Sequence, residues 1–80
     1  MRFGIGIEEY ERMFEAQDGL CEICKQPEVG RDLSVDHNHV TKKVRGLLCR
    51  YCNPAIGMFK ENPALLYRAI EYLAKYNRED

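Results

Sequence analysis

The chain has 80 residues, 31% of them charged, and a formal net charge of −1. That length holds one domain with a small core, and no stretch approaches the roughly 18 apolar residues of a membrane span. Met1 to Ile7 is too short and too glycine-rich for the apolar part of a secretion signal, and Glu8 and Glu9 end it, so a soluble, intracellular (cytoplasmic) protein with reduced thiols is expected.

The near-neutral sum hides an asymmetry. Residues 1–36 hold nine acids and four basic residues, whereas residues 37–60 hold Lys42, Lys43, Arg45, Arg50 and Lys60 and no acid. Sign asymmetry of this kind suggests a segment that meets polyanions, and an ordinary solvated hairpin is the plainer alternative.

The first predicted element is a helix from Glu8 to Asp18. Tyr10, Met13, Phe14 and Gln17 recur at helical spacing, so three apolar residues share a face that reads as core, and Gly19 stops the helix. The acidic outer face (Glu8, Glu9, Glu11, Glu15) should point away from any polyanion. A loop over 26–32 follows, with Pro27 and Gly30. Leu33-Ser34-Val35 alternates and predicts a short strand running into Asp36. Residues 38–43 form a turn, and Val44 to Leu48 return as a second strand interrupted by Gly46, giving an antiparallel hairpin. Asn53-Pro54 and Asn62-Pro63 each look like an N-cap followed by a first-turn proline. They predict a helix through Ile56, Met58 and Phe59, then a second through Leu66, Ala69, Ile70 and Leu73 to about Tyr76. Residues 1–80 thus read as a single α+β domain whose central unit is ββα.

Cys21-Glu22-Ile23-Cys24 and Cys49-Arg50-Tyr51-Cys52 are two C-x-x-C knuckles separated by 24 residues. Each tight knuckle presents two sulfurs, and zinc takes about four soft ligands in a tetrahedron. Cys21, Cys24, Cys49 and Cys52 are therefore expected to hold one structural zinc, which an 80-residue fold can use as a staple. Two disulfides would need an oxidising compartment, and a redox pair would use only one knuckle. Iron suits the same four sulfurs.

Asp36, His37, His39 and Asn53 lie beside the knuckles, at the end of the first strand, in the turn and at the start of the helix. Asp36 and Asn53 can offer two oxygens to one hard cation, and magnesium typically takes only one or two protein oxygens. A neutral histidine can take a proton from water near neutral pH. Together these are the parts for metal-assisted hydrolysis of a phosphodiester. Each also has a plain reading: Asp36 as a turn former, the histidines as surface residues or spare zinc ligands, Asn53 as a helix cap. A regular strand would point Asp36 and His37 to opposite faces, so a shared site requires the backbone to leave strand geometry there.

The pattern Cys21-x-x-Cys24, Asp36-His37-x-His39, then Val44-Arg45-Gly46-Leu47-Leu48-Cys49-x-x-Cys52-Asn53-x-x-Ile56-Gly57 resembles the phage recombination endonuclease VII family of zinc-containing HNH, or ββα-metal, nucleases. Gln17-Asp18-Gly19 resembles the family's helix before the first knuckle, and the similarity runs over roughly residues 8–76. The resemblance implies a zinc-stapled ββα-metal nuclease module with an N-terminal and a C-terminal helix. It implies that Asp36 and Asn53 bind a catalytic magnesium or manganese ion, that His37 is the general base, and that His39 supports the scissile phosphate or the metal shell. Cleavage would leave 5′-phosphate and 3′-hydroxyl ends. DNA is the implied partner, and the basic hairpin residues Lys42, Lys43, Arg45 and Arg50 are expected, from their charge, to supply most of the affinity for its phosphates. Asn38 stands where relatives often carry Asp, and Pro54 follows Asn53. Full-length junction-resolving members have a further C-terminal part that builds an intertwined dimer. This chain ends near the boundary of the nuclease module, so a monomer is expected, with a dimer as the alternative. A non-catalytic zinc module that binds nucleic acid shares the knuckles and the basic hairpin but has no need of Asp36, His37 and Asn53 together.

Overall fold

Five elements follow one another: α1 (Ile7–Ala16), β1 (Ser34–His37), β2 (Val44–Leu48), α2 (Cys52–Met58) and α3 (Pro63–Asn77). The computed structural model describes residues 4–77, so the part of the secretion-signal argument that rests on Met1–Phe3 lies outside the described residues, as do positions 78–80. The class is α+β, with one antiparallel two-stranded sheet. No helix among the described residues is long and apolar enough to cross a membrane.

α1 begins behind Gly6, which adds no side-chain cap; Glu8 and Glu9 in the first turn suit the positive end of the helix dipole. Its end is a left-handed turn in which the Gly19 N–H donates to Phe14 O at 2.9 Å and the Asp18 N–H to Glu15 O at 3.0 Å. Asp18 (φ 55°) and Gly19 (φ +71°) both lie in left-handed space. A Cβ at position 19 would fall 3.0 Å from the Phe14 ring, so backbone and packing both demand glycine there. The apolar stripe is only half core: Tyr10 is buried and donates to Leu33 O at 2.8 Å, Met13 packs against the core, and Phe14 remains 41% exposed.

Gln17, the polar member of that stripe, does what a strand would do. Its amide donates to Leu47 O and accepts the Leu47 N–H, both at 3.0 Å, and the Glu22 N–H donates to the same Leu47 O at 3.1 Å. The outward edge of β2 is thereby satisfied without a third strand.

The hairpin follows the expected boundaries closely. Ser34 faces Leu48, Val35 faces Leu47 and Asp36 faces Gly46, but His37 faces Val44. Arg45 is the extra residue, and the ladder is irregular between Asp36 and His37. The connecting turn is held by Asn38, whose Oδ1 accepts the Val40 and Thr41 N–H groups at 2.8 and 2.9 Å.

The core is small: Ile5, Tyr10, Leu33, Leu47 and Leu48, completed by Cys21 and Cys49. α3 adds nothing to it, for none of its residues is buried, and Ile70 and Leu73 are 59% and 55% exposed. The radius of gyration of 14.7 Å exceeds the about 12 Å expected for 80 packed residues, as a helix standing off the body requires. Asn62 caps α3 as predicted, accepting the Ala64 N–H at 2.9 Å. α2 departs from expectation. It begins at Cys52, so Asn53 is its second residue and not its N-cap, and Tyr51 before it has helical dihedrals. The Cys52 N–H meets the Cys49 sulfur at 3.4 Å and the Asn53 N–H the Cys49 carbonyl at 3.1 Å, so the knuckle, not a capping side chain, satisfies the start of α2.

Candidate functional site

The two knuckles converge. Cys21, Cys24, Cys49 and Cys52 place all four sulfurs within 4.8 Å of one another. Cys24 Sγ and Cys49 Sγ are 3.8 Å apart, which matches the edge of a tetrahedron with metal–sulfur bonds of about 2.3 Å. A disulfide needs about 2.0 Å, and all four cysteines are free thiols. The cluster can hold a zinc ion.

The first knuckle is shaped by the Cys21 N–H donating to Gln26 O and the Lys25 N–H to Cys21 O, both at 2.9 Å, with Lys25 in left-handed space. Burial pushes the Cys21 thiol up, but backbone N–H groups of Cys24, Cys49 and Ile23 outweigh it and bring it down to about 6. Burial and the neighbouring sulfurs push Cys52 up to about 12. A metal arriving here meets one thiol ready to ionise and must displace protons from others.

Asp36 is the buried acid, only 8% exposed. Arg45 grips it from the ladder irregularity: Nε donates to Oδ2 at 2.6 Å and Nη2 to Oδ1 at 3.0 Å. Its hydrogen bonds to Asp36 raise the Arg45 guanidinium further above its ordinary value, against the opposing effect of burial. Arg45 Nη1 donates to Glu61 Oε1 at 3.0 Å, and His39 Nε2 lies 2.9 Å from Glu61 Oε2. Asp36, Arg45, Glu61 and His39 therefore form one continuous polar chain from β1 to the turn between α2 and α3. His37 is exposed next to it, its ring centroid 5.4 Å from that of His39. Asn53 lies in the first turn of α2, half-buried, with its N–H on Cys49 O at 3.1 Å. Among the described residues its side-chain amide caps nothing and bonds to neither Asp36 nor the histidines. Its oxygen is free for a ligand.

Oxygen donors are what a hard divalent cation takes; here Asn53 offers an amide oxygen, and both Asp36 oxygens are taken by Arg45. Glu22 adds negative charge nearby, since its Oε2 would lie 2.9 Å from a Cβ at Gly46, the residue that faces Asp36 across the ladder.

The four expected phosphate-facing residues divide into two kinds. Lys42 and Lys43 are exposed at the hairpin turn without an ion pair among the described residues. Arg45 is engaged by Asp36 and Glu61. Arg50 is engaged by Glu28, which accepts its backbone N–H at 2.6 Å and its Nε–H at 2.9 Å. Burial pushes the Glu28 carboxyl up, and Arg50's hydrogen bonds and charge outweigh it, leaving it below its usual value. Sequence reasoning assigned nothing to Glu61, Glu28 or Glu22. Each acts on a residue 16 to 24 positions away, and no local motif announces such partners.

The chain matches the family model of recombination endonuclease VII over residues 1–75. It is 48% identical over 75 residues to the Gene 59 protein of Mycobacterium phage D29, covering 91% of this chain and 46% of that relative. It is 44% identical over 73 residues to the Gene 59 protein of Mycobacterium phage L5, covering 89% of this chain and 44% of the relative. The chain thus spans less than half the length of these curated relatives. A family model matched over nearly the whole sequence, joined to a four-cysteine cluster beside a buried acid and two histidines, places the chain in the recombination endonuclease VII family.

Proposed function

We propose that this chain is a metal-dependent DNA endonuclease of the HNH, or ββα-metal, type, acting inside the cell. The observation that supports this best is local. The polar chain Asp36–Arg45–Glu61–His39 joins the buried acid to the histidines at one end of the hairpin, where the His37 and His39 ring centroids lie 5.4 Å apart.

Asp36 and Asn53 are the residues that would hold one magnesium or manganese ion. When bound, such an ion supplies Lewis-acid stabilisation of charge developing on the phosphate and on the departing 3′ oxygen. The protein's own residues do the rest. His37, open to solvent, takes the proton from the attacking water. His39, held by Glu61, supports the scissile phosphate or the metal's shell. The products carry 5′-phosphate and 3′-hydroxyl ends. The four-cysteine zinc stays outside the chemistry and fixes the hairpin against α2.

Lys42 and Lys43 supply the free positive charge for phosphate, while Arg45 and Arg50 can reach it only by leaving their carboxylates. Replacing Lys42 and Lys43 with Ala should therefore flatten the salt dependence of DNA binding, by about 0.9 in log–log slope for each duplex phosphate no longer neutralised. Filter binding or fluorescence anisotropy at several salt concentrations reads this. An unchanged slope would move the footprint elsewhere, with Arg68 and Lys75 on α3 as the next candidates.

The chain carries one Asp36-His37-Asn53 set, hence one site, and we propose that it works as a monomer. One site makes one displacement on one strand. On supercoiled plasmid with magnesium and limiting enzyme, open circles should accumulate first and linear DNA should lag, and EDTA should stop both. Linear product without an open-circle intermediate would mean two sites acting together in a dimer.

One observation favours a second reading, a non-catalytic zinc module that binds nucleic acid. Arg45 takes both Asp36 oxygens, as a purely structural ion pair would. A zinc-loaded chain that binds DNA and nicks no plasmid at any magnesium or manganese concentration would establish that reading instead.

A further inference from the structure

Glu61 touches two residues of the site at once, and its place in the chain is held from both sides. It lies between the end of α2 and Asn62, the cap of α3. The Lys60 N–H donates to Gly57 O and the Glu61 N–H to Ile56 O, both at 2.8 Å. The turn puts Lys60 (φ 58°) and Glu61 (φ 54°) in left-handed space, where side chains are disfavoured and glycine is the usual occupant. Non-glycine residues persist there only where the surroundings over-determine them. The outcome here is a carboxylate, 23% exposed, that lines an open groove of about 420 Å³ together with Asn38, His39 and Lys60.

Arg45 stands between two carboxylates. It gives two N–H groups to Asp36 and a third to Glu61. A divalent cation on Asp36 would face the Arg45 charge at a few ångströms, and two like charges cannot share that carboxylate cheaply. If Arg45 had no other acid, it would compete with the cation for Asp36. Glu61 removes the conflict, because a side-chain rotation keeps Arg45 paired while it leaves Asp36. His39 on the other carboxylate oxygen keeps Glu61 aimed at this position.

We propose that Glu61 is a positioning residue of the site: it takes Arg45 over from Asp36 when a divalent cation binds. This rests on the nuclease reading above for the location of the cation, but its test does not use cleavage. The measurement is manganese binding to the zinc-loaded chain without DNA, read by the electron paramagnetic resonance signal of free Mn²⁺, with Asp36→Ala as the site-less baseline. Glu61→Gln keeps the shape and removes the charge. It should weaken manganese binding by about 10- to 100-fold, the usual effect of losing a partner behind a metal ligand. Arg45→Ala removes the competitor, so Glu61→Gln placed on top of Arg45→Ala should change the affinity no further. Glu61→Asp, which keeps a carboxylate on a shorter stem, should recover part of the loss.

A merely structural Glu61 would lower the melting temperature and leave manganese affinity alone. That result overturns the proposal, and so does an equal loss of affinity with and without Arg45. If the affinities behave as expected but the wild-type chain nicks no DNA, the nuclease reading falls and the role of Glu61 stands. If wild type nicks DNA and Glu61→Gln binds manganese unchanged, only the role of Glu61 falls. A wild type that binds manganese no better than Asp36→Ala overturns both.

Discussion

Cys49→Ser is expected to abolish the cooperative thermal transition of the domain. Cys49 joins the end of β2 to the start of α2: it is 5% exposed, its carbonyl accepts the Asn53 N–H at 3.1 Å, and its sulfur meets the Cys52 N–H at 3.4 Å. Two of the seven buried core residues among the described residues are cysteines of the cluster, so the cluster is part of the core. The apolar remainder is five side chains, at about 1.5–3 kcal/mol for each large one fully buried. Opposing them is the conformational entropy of ordering the chain, roughly 1–2 kcal/mol per residue for the backbone alone. A structural zinc contributes about 10–16 kcal/mol of apparent binding free energy in small zinc modules, as large as the whole net stability of a typical domain. Losing one thiolate ligand forfeits much of it. Circular dichroism melts and zinc content measured together provide the check. A Cys49→Ser protein with a native spectrum, a sharp melt and a full zinc complement would show that the apolar core suffices. Chelation should act in the same direction: with zinc removed, the wild-type far-ultraviolet spectrum should lose its helical and hairpin signal together.

Much of this architecture was legible because its signals are local. The two C-x-x-C knuckles are turns whose sulfurs lie within a few residues of each other, and they do converge. Val44–Leu48 was bounded by turn residues on one side and a knuckle on the other, and the strand has those bounds. Asn62-Pro63 is a cap and a first turn written in adjacent residues, and α3 starts there. The departure from strand geometry that a site shared by Asp36 and His37 requires is not seen in β1: both residues stay in the strand, one buried and one exposed, and the ladder irregularity there is the extra residue Arg45 on β2.

What escaped the sequence depends on partners far along the chain. Asn53-Pro54 carries the same cap signature as Asn62-Pro63, yet α2 starts at Cys52, two residues before Pro54. The Cys49 sulfur and carbonyl already meet the Cys52 and Asn53 N–H groups, and Tyr51 is already helical. Arg45 and Arg50 looked like free charge because residues 37–60 contain no acid. Their acids come from outside that window, at Glu28, Asp36 and Glu61. Gln17 was legible only as a member of the helical stripe; its amide satisfies the edge of β2 at Leu47. The stripe of α3 has the spacing of a core face, yet Ile70 and Leu73 are exposed and Leu66 and Ala69 only half-buried. Periodicity specifies which residues share a face, not what covers it.

His37→Ala is expected to reduce plasmid nicking by about 10²- to 10⁴-fold while leaving fold and DNA affinity nearly intact. The size is that of a lost general base, about 3 to 5 kcal/mol of transition-state stabilisation. Selectivity for the chemical step follows from where His37 lies. It ends β1 on the exposed side, faces Val44 across the ladder, and holds no side-chain hydrogen bond among the described residues. Its removal therefore orphans no buried polar group and opens no cavity, the two routes by which a single substitution usually unfolds a small domain. On the proposed reading, phosphate affinity comes from elsewhere on the hairpin, from Lys42 and Lys43. His39→Ala should behave differently. Its imidazole is tied to Glu61 at 2.9 Å, so its loss disturbs the polar chain through Arg45 to Asp36 and should change the metal dependence of the rate as well as its maximum. The decisive comparison is the nicking rate at saturating DNA across a magnesium titration. A lost base lowers the plateau and leaves the midpoint in place; a lost support for the cation shifts the midpoint. His37→Ala with a plateau close to wild type would move the base to another residue. His39, its ring centroid 5.4 Å away, would be the first to test.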